Sequence, residues 1–257
     1  TVTPQKLEAA RQRLAGTGLT LLLGGVLFII IRGGVTESTS NIGQAYFCND
    51  EFLNHSAVNP AFSLLASAGK TQKYEEMFDF FPEEERKSLF EGLYPTQGEN
   101  TVELLNTRRP NILVILMEGF GGVFVEPLGG VPDVSPNLNR LAKEGIFFTN
   151  CYANSFRTDR GTLCTFSGYQ SFPTLSVMKI PAKSRTLPAL AEKLVKEGYQ
   201  TDFLYGGDIN FTNMKSYLLG SGYQKLTADT DFPLSQKQNA WGVNDDVTFD
   251  FLYNVLK

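Results

Sequence analysis

Histidine is almost absent from this sequence: the 257-residue chain contains one, His55. Proton transfer or metal binding that relies on several histidines is therefore excluded for this chain. Cysteine is also scarce, and Cys48, Cys151 and Cys164 show no metal-ligand spacing such as C-x-x-C. Because an odd number of cysteines cannot pair completely, the sequence implies no disulfide framework.

Excess positive charge is missing as well. The chain has 23 Lys and Arg residues against 27 Asp and Glu residues, a net charge of −4. A general nucleic-acid binder is therefore excluded. The glycine-rich segment "GFGG" at 119–122 lacks the G-x-x-x-x-G-K-[ST] pattern, so the sequence gives no support for a P-loop.

What the sequence does have is one long apolar run, "GTGLTLLLGGVLFIII", at residues 16–31. As a helix it spans ~24 Å at ~1.5 Å per residue, against a hydrocarbon core of ~30 Å, a gap that neighbouring apolar residues and snorkelling arginines can close. Arg11 and Arg13 precede it, which places the N-terminal side in the cytoplasm. We predict a membrane span; a buried helix or strand is the alternative, and a signal peptide fits less well because no cleavage site follows.

From about residue 109 the pattern becomes that of an α/β domain with a mainly parallel sheet flanked by helices. Strands are predicted at 111–118 ("NILVILME"), 146–153 ("IFFTNCYA") and 200–207 ("QTDFLYGG"). Helices are predicted at 135–145 and 186–199, and again from 210 and from 245. Alternation of strands and helices is typical of such domains.

Two polar positions follow predicted strands, where ligands gather in open α/β sheets. Glu118 ends the first strand, with a solvated strand end as the alternative interpretation. Thr158 lies between Arg157 and Arg160 at the start of a predicted helix, which suits an anion with several oxygens; a simple N-cap is the alternative. A threonine hydroxyl needs activation, and metal coordination is the natural means here, with Glu118 as one hard oxygen ligand.

Three segments, "NILVILMEGFGG", "VSPNLNRLAKEGIFFTNCYANS" and "RTDRGT", together resemble the sulfatase branch of the alkaline phosphatase superfamily. More narrowly, they resemble lipoteichoic acid synthases and periplasmic phosphoglycerol transferases, over roughly residues 108–257. The resemblance implies that Glu118 binds the metal and that Thr158 is both nucleophile and metal ligand. True sulfatases carry a cysteine in C-x-[PS]-S-R that matures to formylglycine, whereas position 158 is threonine and Cys164 lacks that pattern.

The resemblance also implies a domain organisation. Residues 1–34 are expected to be a cytoplasmic stub with the last transmembrane helix, 35–108 a linker with short helices, and 109–257 the N-terminal part of an extracytoplasmic catalytic domain. Relatives place an Asp-His metal pair near the carboxyl end of this domain, and no such pair exists here. The chain is therefore expected to be truncated relative to its relatives, and inactive alone.

Residues 205–214, "YGGDINFTNM", align with the substrate-pocket segment of that family. Lipoteichoic acid synthases carry histidine, tryptophan and arginine there, and this chain has Gly206, Thr212 and Met214 instead. The residues predicted to contact substrate are Asp208, Asn213, Trp241, Asn244 and Asp245. Core packing or turn capping is the alternative role for each of them.

The resulting hypothesis is a metal-dependent phosphoglycerol transferase in the cell membrane. Thr158 attacks a phospholipid such as phosphatidylglycerol, Arg157 or Arg160 stabilises the developing charge, and a glycan or glycerol-phosphate acceptor takes the product. One divalent cation is expected, Mn²⁺ or Mg²⁺, with Zn²⁺ left open. The alternatives are a phosphoethanolamine transferase, phosphodiesterase or sulfatase of the same superfamily, or an inactive lipid- or glycan-binding relative.

Overall fold

The computed structural model describes residues 4–35, 37–68, 77, 79–93 and 104–257. The α-helices of these residues are α1 (Pro4–Arg32), α2 (Glu51–Ala57), α3 (Pro60–Ala68), α4 (Glu83–Leu93), α5 (Pro136–Glu144), α6 (Thr158–Ser167), α7 (Pro181–Ser184), α8 (Leu190–Lys196), α9 (Met214–Gly220) and α10 (Asp245–Leu256). The strands are β1 (Asp202–Leu204), β2 (Lys225–Thr227), β3 (Lys237–Asn239) and β4 (Gly242–Val243).

The α/β character of the chain is concentrated in one β-α-β unit. Strands β1 and β2 pair in parallel, with Phe203 opposite Leu226, and α9 lies between them in sequence. Two neighbouring parallel strands need such a crossover connection, because a tight turn reverses the chain direction and would make the second strand antiparallel to the first. Strands β3 and β4 form a separate antiparallel pair. The helices predicted over 135–145, 186–199 and from 245, and the strand predicted over 200–207, are confirmed.

Two predicted strands are wrong. Residues 111–118 and 146–153 contain no strand, and neither segment has a ladder partner in the structure. The apolar side chains of the first segment are far from buried, at 53% exposure for Ile112 and 49% for Met117. A run of apolar residues favours a buried strand. The strand forms only when its backbone N–H and C=O groups pair with those of a neighbouring strand.

The chain divides into two compact units, Thr1–Val58 with Ala142–Lys257, and Asn59–Leu141. We call them the first and the second unit. The three segments predicted from the sequence divide the chain differently and stay a prediction. The buried core of the first unit is a single cluster made of Leu163, Val177, Met178, Ala191, Ile209, Met214, Tyr217, Leu218, Tyr223 and Ala228.

The segment that follows α1 packs into the first unit, although the sequence pattern predicted a linker there. The Asn41 side chain donates from Nδ2 to the Asn210 carbonyl at 2.9 Å. The Gly43 amide donates to Asn213 Oδ1 at 3.3 Å, and Tyr46 is buried. Residues 37–58 therefore belong structurally to the unit that contains Thr158.

The apolar run lies in one continuous helix, α1. Within the described residues, Glu8–Arg32 is long and apolar enough to cross a membrane, with a mean hydropathy of 2.3 and none of its window buried. Length and composition alone are compatible with a membrane anchor or a signal sequence.

Candidate functional site

Thr158 is the first residue of α6. Arg157, with extended backbone at φ −118° and ψ 137°, occupies the N-cap position, and no side chain caps this helix end. The alternative interpretation of Thr158 as the N-cap residue is therefore wrong. The Thr158 side chain is half-buried, and its hydroxyl makes no hydrogen bond to the residues that the structure describes. This hydroxyl is left available beside the free N–H groups of the first helical turn.

The two arginines that flank Thr158 have different surroundings. Arg160 donates from Nη1 to the Pro173 carbonyl at 2.7 Å, and its guanidinium carbon lies 5.8 Å from the centre of the Phe156 ring. The Arg157 side chain makes one hydrogen bond to the residues that the structure describes, from Nε to Asp159 Oδ1 at 3.4 Å, and it is 42% exposed. The terminal amino groups of Arg157 are thus better placed than those of Arg160 to bind an anion.

Asp159, which sequence reasoning missed, is the most deeply buried charged residue near this site, at 2% exposure. It is the second residue of α6, where the helix dipole stabilises a negative charge. Its Oδ2 atom has no hydrogen-bond partner among the residues that the structure describes. The signal that could have found it is an acidic residue placed between two arginines in "RTDRG".

The far end of α6 is fixed in the core. The Ser167 hydroxyl and the Tyr217 hydroxyl are 2.7 Å apart, which links α6 to α9. Burial raises the pKa of Tyr217 to about 12. Burial also raises the pKa of the Cys164 thiol, with a hydrogen bond to Asn154 acting in the opposite direction. A raised pKa leaves less of the nucleophilic thiolate at neutral pH.

A second polar region forms where two glycine-containing segments meet. The Val243 amide donates to the Gly206 carbonyl at 2.8 Å. A Cβ atom on Gly206 would lie 2.6 Å from Thr248 Oγ1, and one on Gly242, whose φ is +127°, would lie 2.3 Å from the Gly206 carbonyl. Only glycine permits this approach, and it brings Trp241 next to the segment that carries Asp208.

Asp208 and Trp241 line a small cavity of about 60 Å³. Asp208 Oδ1 accepts hydrogen bonds from the Asn210 amide at 2.9 Å and from Asn210 Nδ2 at 3.0 Å. The Trp241 ring packs edge-on against Phe211, with centroids 5.8 Å apart. The residues around the cavity are Glu37, Ser38, Tyr205, Asp208, Phe211, Asp229, Ala240 and Trp241. We call this the aromatic–acidic cavity.

The other predicted substrate residues lie outside this cavity. Asn213 is buried, accepts from the Gly43 amide at 3.3 Å and donates to the Lys179 carbonyl at 3.1 Å. Asn244 bonds Gln238 at 2.7 Å, and Asp245 is the exposed first residue of α10. These contacts favour structural roles for Asn213 and Asn244, and substrate binding by all three stays a prediction.

The turn at residues 177–179 connects the two polar regions of the first unit. It packs against α6 on one side and against residues 211–213 on the other. The Thr212 hydroxyl lies 3.8 Å from the sulfur of Met178, which is fully buried. Thr158 and the aromatic–acidic cavity therefore belong to one packed scaffold.

Glu118 lies in the second unit, in an exposed turn, whereas Thr158 lies in the first. Among the described residues, no group of three or more His, Cys, Asp and Glu side chains is placed to hold a metal ion.

The sulfatase family profile matches residues 110–257 of the chain, which is more than half of it. The chain belongs to the sulfatase family. This sulfatase-family chain is 33% identical over 130 residues to an ulvan-active sulfatase of Formosa agariphila, covering 45% of the chain and 22% of the relative. It is 31% identical over 98 residues to an N-acetylglucosamine-6-O-sulfatase of Bacteroides thetaiotaomicron, covering 37% and 17%.

The sulfatase-family chain thus spans about a fifth of the length of the curated relatives it matches. Among solved structures it is similar to a protein in the alkaline phosphatase superfamily from Vibrio parahaemolyticus. That similarity has a TM-score of 0.50 and 32% identity, and covers 54% of this chain and 34% of the other. The predicted superfamily is therefore confirmed. The narrower resemblance to lipoteichoic acid synthases stays a prediction.

Members of this superfamily are metal-dependent. The ligands predicted in this sulfatase-family chain are Glu118 and Thr158, which lie in different units. Two protein ligands are too few for a tightly held divalent cation. The described residues therefore do not by themselves fit the expected ion, and its identity stays a prediction.

Proposed function

We propose that this sulfatase-family chain is part of a membrane-anchored transferase that moves a phosphodiester head group through a covalent link to Thr158. Phosphoglycerol from a lipid such as phosphatidylglycerol is the proposed group. One observation carries the proposal: a threonine hydroxyl without a hydrogen-bond partner among the described residues lies at the first position of α6, next to the exposed guanidinium of Arg157. A hydroxyl nucleophile needs such a position, with donors for the charge that develops on the phosphate.

The proposed reaction has two displacement steps. Thr158 Oγ attacks the phosphorus, the bond from phosphorus to the diacylglycerol oxygen breaks, and diacylglycerol leaves with the proton that the threonine lost. An acceptor hydroxyl on a glycan or on glycerol phosphate then attacks the phosphothreonine, and its proton returns to the Thr158 oxygen. The first-turn N–H groups of α6 and the Arg157 guanidinium stabilise the negative charge in both steps.

The aromatic–acidic cavity is the proposed place for the neutral part of the head group. Asp208 has a carboxylate that accepts hydrogen bonds from hydroxyl groups, and the exposed Trp241 ring offers an apolar face to carbon atoms. The acidic lining disfavours the phosphate itself. The phosphate is therefore assigned to the start of α6 and the glycerol hydroxyls to the cavity.

Helix α1 is the proposed membrane anchor, which places the catalytic unit outside the cytoplasm. Its apolar side chains are exposed, for example Ile31 at 71%, and Arg11 and Arg13 lie before them. An exposed apolar surface of this length favours a lipid environment. A reporter fused after Gly34 is expected outside the cytoplasm, and a cytoplasmic reporter would contradict both the span and its orientation.

A sulfuric-ester hydrolase is the second candidate function. The curated relatives are named as sulfatases, which favours this reading. Against it stands the side chain at the start of α6, which is threonine and not the cysteine of the sulfatase pattern. A phosphoethanolamine transferase or phosphodiesterase would use the same Thr158 chemistry, and these differ from the proposal in head group or acceptor.

The test is to trap the covalent intermediate. The complete transferase that contains this chain is incubated with Mn²⁺ and vesicles containing phosphatidylglycerol labelled at the phosphate, quenched in acid, and mapped by mass spectrometry. The proposal expects labelled phosphoglycerol on Thr158 and free diacylglycerol in equal amount. Release of sulfate from a sulfated sugar, with no label on Thr158, would replace the proposal by the sulfatase function. Labelling from phosphatidylethanolamine alone would point to a different head group.

A further inference from the structure

We infer that Asp159 is a positioning residue, which holds Arg157 so that its terminal amino groups meet the anion bound beside Thr158. The inference deepens the proposed function and rests on it, because the anion in question is the phosphate of the proposed substrate. It assigns different roles to the two arginines of "RTDRG": Arg157 binds the anion, and Arg160 holds the loop before α7 in place.

The burial of Asp159 needs an explanation. An ionised carboxylate at 2% exposure is costly unless it is paired, and its one hydrogen-bonded partner among the described residues is Arg157. The favourable end of the α6 dipole offsets part of that cost. A side chain whose only purpose was to start the helix would do so from an exposed position, as Asp246 does in the first turn of α10.

The geometry of the pair leaves Arg157 able to bind something else. The contact runs from Nε to Oδ1 at 3.4 Å, so one of the five guanidinium N–H donors is used. The guanidinium is then held at Nε alone, which leaves its two terminal amino groups to bind two oxygens of a phosphate. Since Asp159 Oδ2 has no partner in the described part of the chain, the pair is not a closed two-bond bridge.

Arg160 provides the contrast. Its Nη1 atom is engaged with the Pro173 carbonyl at 2.7 Å, and its guanidinium lies over the Phe156 ring. These contacts hold it toward residues 156 and 173 without help from a carboxylate. The Asp159 carboxylate contacts Arg157, the more exposed of the two arginines. This arrangement is expected if Arg157 presents its terminal amino groups to a ligand.

An electrostatic role and a positioning role of Asp159 predict opposite changes in anion affinity when its carboxylate is removed. A negative carboxylate close to a bound phosphate repels it, so a purely electrostatic role predicts that Asp159→Ala binds the anion more tightly. Positioning predicts weaker binding, because Arg157 then spreads over many rotamers and has to be ordered by the ligand. Asp159→Asn separates the two roles further, since it removes the charge but keeps an acceptor for Arg157 Nε.

The experiment is a double-mutant cycle on the purified protein, with glycerol 3-phosphate as the probe and calorimetric affinity as the readout. Asp159→Ala is expected to weaken binding about tenfold, and Asp159→Asn to stay within about threefold of the unaltered protein. In an Arg157→Ala background, Asp159→Ala is expected to add nothing further. Asp246→Ala is the matched control, an exposed first-turn aspartate with no expected effect, and glycerol tests the need for the phosphate.

Each outcome decides a different point. Tighter or unchanged binding by Asp159→Ala overturns the positioning role, as does an equal loss in the Arg157→Ala background. Should Asp159→Ala fail to fold by circular dichroism, a tenfold or greater loss in Asp159→Asn together with unchanged behaviour of Arg157→Ala would also overturn it. If the unaltered protein binds glycerol 3-phosphate no better than glycerol, the proposed function itself fails, and that result is distinct from a failure of the Asp159 assignment.

Discussion

The first turn of α6 and the turn that holds Glu118 differ sharply in how they are built, although the sequence singled out both for the same chemistry. Thr158 begins a regular helix whose other end bonds into the core through Ser167 and Tyr217. Glu118 follows an apolar segment that has no ladder partner within the described ranges, and its own side chain is exposed. The helix that begins at Thr158 is therefore fixed by contacts within its own unit, whereas the exposed Glu118 side chain is not.

The difference lies in where the backbone hydrogen bonds come from. A helix satisfies its N–H and C=O groups from residues four positions away, so a short stretch of sequence is enough to form it. A buried strand takes every such bond from another part of the chain. Thr158 lies in the first kind of structure, whereas the strand that the sequence predicted before Glu118 would need the second kind and is not formed in the structure.

The largest effect is expected at the helix. In the complete transferase that contains this chain, Thr158→Ala should lower head-group transfer by about a thousandfold or more, because the proposed covalent route disappears. Because the Thr158 hydroxyl makes no hydrogen bond to described residues, the free energy of unfolding should change little. Transfer from labelled phosphatidylglycerol and denaturant unfolding measure the two quantities.

The matched variant is Thr158→Ser, which keeps a hydroxyl and should retain measurable transfer. Near-normal transfer by Thr158→Ala would remove Thr158 from the reaction. It would also mean that the ordered start of α6 serves only to bind the anion.

Local patterns carried much of the fold. The apolar spacing and end signals of α5, α8 and α10 were sufficient because helices are determined mostly by nearby residues. The segment 200–207 became a strand because β2 supplies a partner. Residues 111–118 and 146–153 have equally good strand patterns, and what they lack in the structure is the partner, which no local pattern can supply.

The candidate site was predictable to the level of residue type and position, but not of contact. The pattern "RTDRGT" singled out Thr158 and both arginines, yet only the contacts show that Arg160 is engaged with Pro173. Asp208 and Trp241 are far apart in sequence, and the close approach of Gly206 and Gly242 brings them together. Asparagine often binds polar substrates, so the sequence suggested that role for Asn213. Its burial and its hydrogen bond with the Gly43 amide could not be inferred from the sequence.

The next prediction tests the weaker half of the comparison. In the complete transferase that contains this chain, Glu118→Ala should lower Mn²⁺ affinity by at least ~10–100-fold, the loss that typically follows removal of a residue that supports a metal ligand. Because the side chain is exposed, the free energy of unfolding without metal should stay within about 0.5 kcal/mol. Calorimetric Mn²⁺ titration measures the first quantity, with exposed Glu91→Ala on α4 as the control. Unchanged affinity would make Glu118 a solvated turn residue.

A pair of glycine substitutions sharpens the comparison between the two regions. Gly206→Ala should destabilise the protein by ~1–3 kcal/mol, because its Cβ would lie 2.6 Å from Thr248 Oγ1 and 2.8 Å from the Val243 carbonyl. Gly121→Ala, near Glu118, meets nothing closer than 3.9 Å and should be nearly neutral. Denaturant unfolding measures both. Equal effects would show that the aromatic–acidic cavity is no more tightly built than the Glu118 turn.

The smallest effect concerns the anchor of α6, and its pH-dependent part appears only in alkaline solution. Burial raises the pKa of Tyr217 from 10.0 to about 12, so the folded protein favours the neutral phenol. The stability that this contributes is fully present below pH 10 and is lost as the pH rises from about 10 to about 12. Tyr217→Phe cannot ionise, so its free energy of unfolding should fall less over that range.

At pH 8 the same variant should be less stable by about 1 kcal/mol, because the Ser167 hydroxyl loses its buried partner. Tyr253→Phe, on the exposed face of α10, is the matched control and should follow the unaltered protein at every pH. Some alkaline loss is expected to persist in Tyr217→Phe, since burial also raises the pKa of Tyr223. If the stability of Tyr217→Phe declines with pH as steeply as that of the unaltered protein, α6 does not depend on a neutral Tyr217. The contrast between an anchored Thr158 and an exposed Glu118 would then rest on the first turn of α6 alone.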